Sequence, residues 1–143
     1  MNSTPLHSVS VAGVTFDQVG RVLLIRRRDN AQWQAPGGVL ELEETFEEGV
    51  AREVFEETGV EVRVGPLTGV YKNLRQGVVA LVYRCEYIGG QPRCTDESVE
   101  VAWIDVGEAV TLMSPAFAVR VEDAATESAL AAASRAHNGV NLL

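Results

Sequence analysis

Lysine is almost absent from this chain: Lys72 is the only one in 143 residues, and the formal charge is −8. A surface so short of cations does not grip nucleic acid through a broad basic face, and none is expected as a partner. A small polyphosphate ligand stays within reach, because local arginines and a bound metal can invert the field inside one cleft. Long apolar runs are missing too. None approaches the ~18 residues of a membrane span, so no membrane partner is expected. Met1 to His7 carries neither the basic stretch nor the apolar core of a secretory signal, which makes the cytoplasm the expected location. The two cysteines, Cys85 and Cys94, are too few for a Cys-rich zinc site and are not a CxxC pair. They lie symmetrically about Gly89-Gly90, so a hairpin turn there would set them face to face, reduced in a cytosolic protein. His7 and His137 lie near the termini and are expected to be inert.

What the chain does have is enough apolar residue for a core. With 46% hydrophobic and 22% charged residues over 1–143, a single soluble domain is expected. Val9 to Phe16 and Arg21 to Arg27 read as strands joined through Asp17-Gln18-Val19-Gly20, followed by a loop from Asp29 to Pro36. Val60 to Tyr71 and Gly77 to Ile88 read as longer strands, with Gly65-Pro66 and Gly69 marking a bulge or bend, and Val99 to Ile104 as a shorter one. Val106 to Met113 suits a turn or two of helix. Pro115 suits the first turn of an Ala-rich helix to about Arg135, stopped by His137-Asn138-Gly139. Phe117, Val121, Ala124 and Ala125 recur there at helical spacing, so either the sheet or a second copy of the chain is expected to cover that helix. Mixed strands with one helix in the middle and one at the end imply an α/β protein with helices on both faces of a sheet.

The densest chemistry lies between Gly38 and Val60. Glu53, Glu56 and Glu57 stand at i, i+3 and i+4 of a helix, within an arc of roughly 100° on one face. Crowded like charges repel unless a cation neutralises them, and oxygen-only ligands favour Mg²⁺, Mn²⁺ or Ca²⁺. A merely solvated acidic face would interleave opposite charges, whereas only Arg52 breaks this stretch. Val50, Ala51, Val54 and Phe55 fill a separate apolar arc, so the helix packs. Thr45 and Glu48 form a capping box at its start, and Gly59 suits the left-handed residue at its end.

This segment resembles the Nudix box, G-x5-E-x7-R-E-U-x-E-E-x-G-U with U aliphatic, at every specified position: Gly38, Glu44, Arg52, Glu53, Val54, Glu56, Glu57, Gly59 and Val60. At background frequencies a chance match at a given start is on the order of one in 10⁸, less rare in a Glu-rich chain. The flanks are similar as well: the Val22 to Arg28 run, Trp33 through Pro36-Gly37-Gly38, and Glu100 to Trp103. The resemblance implies an α/β/α sandwich around a mixed sheet, with the box as a loop-helix-loop and a helix at the C-terminus. It also implies Mg²⁺-dependent hydrolysis, with Mn²⁺ as a substitute, of a nucleoside diphosphate linked to another group X, by water attack at phosphorus.

Carried onto this sequence, the family's roles make Glu53, Glu56 and Glu57 metal ligands, Gly38 a carbonyl ligand and Glu44 a supporting carboxylate. Arg52, at i+4 from Glu48 and i−4 from Glu56, orients a glutamate. The general base is open among Glu56, Glu97 and Glu100. If Thr95 to Glu100 is a strand, Glu97 and Glu100 point to opposite faces and at most one reaches the site without a bend. Gly37 lets the backbone approach the substrate. Arg26, Arg27 and Arg28 end a strand beside that loop; alternation forbids all three from reaching phosphate, and Arg26 and Arg28 are the candidates. Trp33 either stacks on a base or packs under the loop, while Trp103 belongs to the core. Tyr71 and Arg75, with Lys72, end a strand where they would line a nucleotide pocket.

The identity of X stays open. A proline about 16 residues past the box or a tyrosine about 17 past it would mark ADP-ribose or dinucleoside polyphosphate hydrolases, but those positions hold Gln76 and Gly77. A nucleoside triphosphate is the first expectation. ADP-ribose or a nucleotide sugar is the alternative, and a non-catalytic nucleotide sensor or a Ca²⁺-structured scaffold the remaining ones; the complete box favours catalysis. If the base lies outside the box, either Glu97→Gln or Glu100→Gln, and not both, lowers kcat by about 10²- to 10⁴-fold with less effect on KM. Two silent substitutions in steady-state kinetics would return the role to Glu56.

Overall fold

The computed structural model of the protein describes residues 3–126 and 131–143. Its elements run β1 (Ser8–Phe16), β2 (Val22–Arg27), β3 (Trp33–Gln34), β4 (Gly37–Val39), α1 (Phe46–Thr58), β5 (Val60–Asn73), β6 (Val78–Gly90), β7 (Ser98–Ile104), α2 (Val106–Leu112), α3 (Pro115–Ala125) and β8 (Ala133–His137). The strands form one mixed sheet in the order β3-β2-β1-β6-β5-β8, with β4 added to β1 and β7 to β2. β1 runs parallel to β6 and β5 parallel to β8; the other ladders are antiparallel.

The period-2 pattern of the strands divides the core between the two faces. Val11 and Leu23, with Tyr83 and Cys85 of β6, pack against Val50 and Val54 of α1. Ala12, Val14, Val22, Leu24 and Val82 point the other way, onto Ala109 of α2, Met113 just after it, and Val121 and Ala124 of α3. The protein is therefore an α/β/α sandwich, as expected. Each fully buried valine or leucine contributes roughly 1.5–3 kcal/mol of transfer free energy to holding these layers.

One departure from a regular sheet creates the working space. β1 and β2 pair only at Phe16 and Val22, then diverge. Inside the fork β4 takes the vacated edge of β1, with Val11 opposite Gly38 and Ala12 opposite Gly37, while β3 takes that of β2, with Ile25 opposite Gln34. The stretch read as a plain loop from Asp29 to Pro36 thus contains strand β3, which owes its existence to that free edge rather than to its own pattern.

The β5–β6 hairpin bulges where the glycines suggested, with register shifts between Val64 and Leu67 and between Leu67 and Gly69. Three other expectations fail. The C-terminal helix ends at Ala125, not near Arg135, and Ala133–His137 is a strand parallel to β5; residues 127–130, which the expected helix would have included, lie outside the described residues. His137 is buried, not peripheral. Gly89-Gly90 is not a hairpin between facing cysteines: β6 carries through it to pair Gly90 with Val60, so Cys85 is buried opposite Val64 while Cys94 is exposed beyond the strand, both free. Among the described residues, no helix is long and apolar enough to cross a membrane.

Burial pushes the Cys85 thiol up to about 12, and only a thiolate reacts readily. A maleimide at neutral pH should therefore label one cysteine of the native protein, Cys94, and reach Cys85 only after unfolding; equal labelling rates by mass spectrometry would refute the placement.

Candidate active site

Helix α1 starts and stops where its caps dictate. Thr45 Oγ1 accepts the Glu48 N–H at 3.1 Å and Glu48 Oε1 accepts the Thr45 N–H at 2.8 Å. Gly59, at φ 77°, donates its N–H to Phe55 O at 2.8 Å. With Val50 and Val54 fully buried, the helix can rotate no further, and Glu53 and Glu57 are turned toward β4. They come close only because β4 begins with two glycines. A Cβ on Gly38 would stand 2.6 Å from Glu53 Oε2, and one on Gly37 would stand 2.5 Å from Val11 O.

Glu57 Oε1 accepts the Gly37 N–H at 2.6 Å. Burial nevertheless pushes its carboxyl up to about 7: the hydrogen bond and the charge of Arg27 oppose the shift, and the charges of Glu53 and Glu97 add to it. Glu53 is raised as well, its burial outweighing its bond to Arg52. These are charges that the fold desolvates without full compensation.

Arg52 gathers the remaining acidic groups. Its Nε donates to Glu44 Oε2 at 2.9 Å and its Nη2 to Glu44 Oε1, while Nη1 donates to Glu53 Oε1 at 2.8 Å and Glu56 Oε2 at 3.3 Å. This pairing holds Glu44 at about 2, well below the usual carboxylate range. Glu48, engaged in the cap, is not an Arg52 partner. Among the described residues no three His, Cys, Asp or Glu side chains are gathered closely enough to hold a metal ion; Arg52 instead binds Glu44, Glu53 and Glu56 together. The donor chemistry still fits Mg²⁺ or Mn²⁺: two desolvated carboxylates one helical turn apart, with the Gly38 backbone against one of them.

Two cavities meet in the fork. The first, of about 410 Å³, is lined by Arg27, Arg28, Asp29, Gln34, Glu57, Asp96 and Glu97. The second, of about 270 Å³, is lined by Gly37, Gly38, Tyr71, Phe117, Arg120 and His137 among others, and shares Arg27 and Gln34 with the first. Of the candidate bases, Glu97 faces the first cavity, whereas Glu100 lies on β7 with its carboxylate 4.0 Å from Arg26. A register shift in the β2–β7 ladder, where Arg26 faces Glu100 and Arg27 faces Ser98, supplies the bend that separates them. Glu56 is exposed on the rim.

The substrate candidates divide in the same way. Gly37 and Tyr71 line the second cavity, and Arg28 lines the first. Arg28 is also a clamp on the Glu97 loop, its Nε donating to Asp96 O at 3.0 Å and its N–H to Glu97 O at 2.8 Å. Arg26 and Arg75 line neither cavity, and Trp33 packs against the core. The cation between the cavities is Arg27, held by Asp29 through bonds of 2.9 and 2.6 Å. Sequence reading also passed over Arg120 and His137. The signal for Arg120 was a cation set between Val119 and Val121, in the apolar stretch that opens α3.

Since the fold desolvates the Glu57 charge, Glu57→Gln should melt at or above the wild type in chelator. It should lose most of the rise that Mg²⁺ or Mn²⁺ gives the wild type, about 2.7 kcal/mol at 100 times Kd. A wild type whose melting does not respond to millimolar metal, with or without a nucleotide, would count against a metal site here.

The family model described as NUDIX domain matches residues 6–124. A MutT-like protein of Streptomyces ambofaciens is 57% identical over 85% of this chain and 79% of its own length. An ADP-ribose pyrophosphatase of Methanocaldococcus jannaschii is 35% identical over 69% of this chain, which spans only 62% of that relative. The crystal structure of a MutT protein from Methanosarcina mazei Go1 superposes with a TM-score of 0.72 at 27% identity, covering 87% of this chain and 96% of that one. With the box on α1, the sandwich around it and a family match over most of its length, the chain belongs to the Nudix family of hydrolases.

Proposed function

We propose that this Nudix domain is a divalent-metal-dependent pyrophosphohydrolase that cleaves a nucleoside diphosphate joined to a group X, with a nucleoside triphosphate as the first substrate class. One observation carries the reading: Glu53 and Glu57 are held desolvated against Gly37-Gly38, at the mouth of cavities large enough for a nucleotide. Glu53, Glu57 and the Gly38 carbonyl would hold the metal. Glu56 would join them, since its 3.3 Å hydrogen bond to Arg52 is longer than those of Glu44 and Glu53. A divalent cation held there would supply charge neutralisation of nonbridging phosphate oxygens and a more acidic attacking water.

The chain's own residues do the rest. Glu97 shares the first cavity with Glu57, which favours it over Glu100 as the group that takes the proton of the attacking water. Arg28 fixes the loop that carries Glu97, and Arg27, oriented by Asp29, is placed to meet phosphate where the cavities join. Arg52 keeps Glu44 and Glu53 in position and touches no substrate.

The test is a panel of nucleoside triphosphates and nucleotide sugars, with ADP-ribose included because the archaeal relative is named for it. Turnover should vanish in chelator and return with Mg²⁺ or Mn²⁺, and in ¹⁸O water the label should enter a phosphate product. Tight nucleotide binding with no metal-dependent turnover on any substrate would make the protein a sensor instead.

A further inference from the structure

Arg120 is the least explained charge in the molecule. It projects from α3 into the second cavity. Its guanidinium lies 4.9 Å from the ring centroid of Tyr71 and 4.6 Å from that of Phe117. Ring contacts of this kind supply no conventional acceptor to its N–H donors. No carboxylate pairs with it among the described residues, and Asp123, three residues further along α3, is taken by the Tyr71 hydroxyl at 2.7 Å and by Arg135 at 2.8 and 2.7 Å. Among the described residues Arg120 Nε is buried without a hydrogen-bond partner. Burial pushes Arg120 down to about 10, so it remains charged at neutral pH.

Its nearest polar neighbour does not satisfy it. His137 Nε2 lies 3.4 Å from Arg120 Nη2. On its other side, His137 Nδ1 accepts the Gly139 N–H at 3.0 Å. Burial and the charge of Arg120 lower the His137 pKa, which keeps the imidazole neutral near pH 7. A neutral ring that accepts at Nδ1 carries its proton on Nε2. Arg120 Nη2 and His137 Nε2 are therefore two donors side by side on the cavity lining, and neither completes the other.

The walls of the cavity decide what kind of acceptor enters. Ala12, Ala35, Val78 and Ala80 add apolar lining to that of Phe117, and Gly37, Gly38 and Arg27, where the phosphates are proposed to lie, line the same cavity. A base against the Arg120 and His137 donors and a polyphosphate against the glycines suits a nucleotide held in this cavity. We propose that Arg120 and His137 are specificity-determining residues that read the acceptor edge of a 6-oxopurine, O6 and N7, and reject adenine. Arginine addresses that edge with two parallel bonds, whereas the adenine amino group would set a donor against donors and leave them unpaired. The inference rests on the nucleotide reading of the site given above.

Metal-free binding separates the two. GMP, IMP and AMP are titrated into the intact wild-type protein in chelator by calorimetry. GMP and IMP should bind about tenfold or more tightly than AMP; IMP, which lacks the 2-amino group, isolates the oxo edge. Arg120→Lys keeps the charge but loses the fork. It should abolish the GMP preference while leaving AMP binding and the melting temperature near wild type, and in turnover it should raise KM for GTP with little change in kcat. Equal binding of AMP and GMP to the wild type would overturn the proposal, and so would inorganic phosphate alone competing for the Arg120 site. Selective GMP binding without any turnover would leave it standing while removing the catalytic reading.

Discussion

Like-charge repulsion on one face of α1 is the constraint around which the site is built. Glu53, Glu56 and Glu57 lie within one helical turn, with Glu44 packed beside them, and a single cation, Arg52, binds three of the four. Glu57 is left to a backbone N–H and to the partial field of Arg27, which is why burial raises it so far. The apolar arc of the same helix prevents relief by rotation, because Val50 and Val54 are sealed in the core. The helix therefore stores an unfavourable interaction, which a divalent cation held as proposed would relieve.

The forked sheet is the second constraint. Two long strands that part after one pairing leave unsatisfied edges, and the chain fills them with β3 and β4. Filling β1's edge beneath α1 demands residues without side chains, so Gly37 and Gly38 bring bare backbone against the carboxylates. The same fork opens both cavities. The cavities and the bare backbone beside the carboxylates thus follow from one topological choice, and the register shift between Arg26 and Arg27 accompanies the Glu97 loop on the first cavity.

Legibility in the sequence follows the range of the interactions. The capping box, the Gly59 cap and the apolar arc of α1 were readable because each depends on residues within one or two turns. The strands β1, β2, β5, β6 and β7 were readable from their period. The helix was extended too far past Ala125 because an Ala-rich composition does not reveal that β5 has a free edge for Ala133–His137 to join. Cys85 and Cys94 were placed face to face by symmetry about two glycines, but the length of the β5 partner, not the dipeptide, sets where β6 ends.

By itself, the sequence determined the local pattern: an acidic helix with one arginine, flanked by glycines, whose spacing puts three carboxylates on one face. Only the tertiary structure decided which distant groups join that face. Glu97 rather than Glu100 reaches the cavity because of a one-residue shift in a ladder. Arg27 rather than Arg26 lies between the two cavities because of how β2 meets β3 and β7. Arg120, Tyr71 and His137, from three elements far apart in the chain, meet because α3 and β8 both pack along β5. Such meetings depend on which edges pair and which faces are covered, and those are properties of the whole sheet that no short window of residues contains.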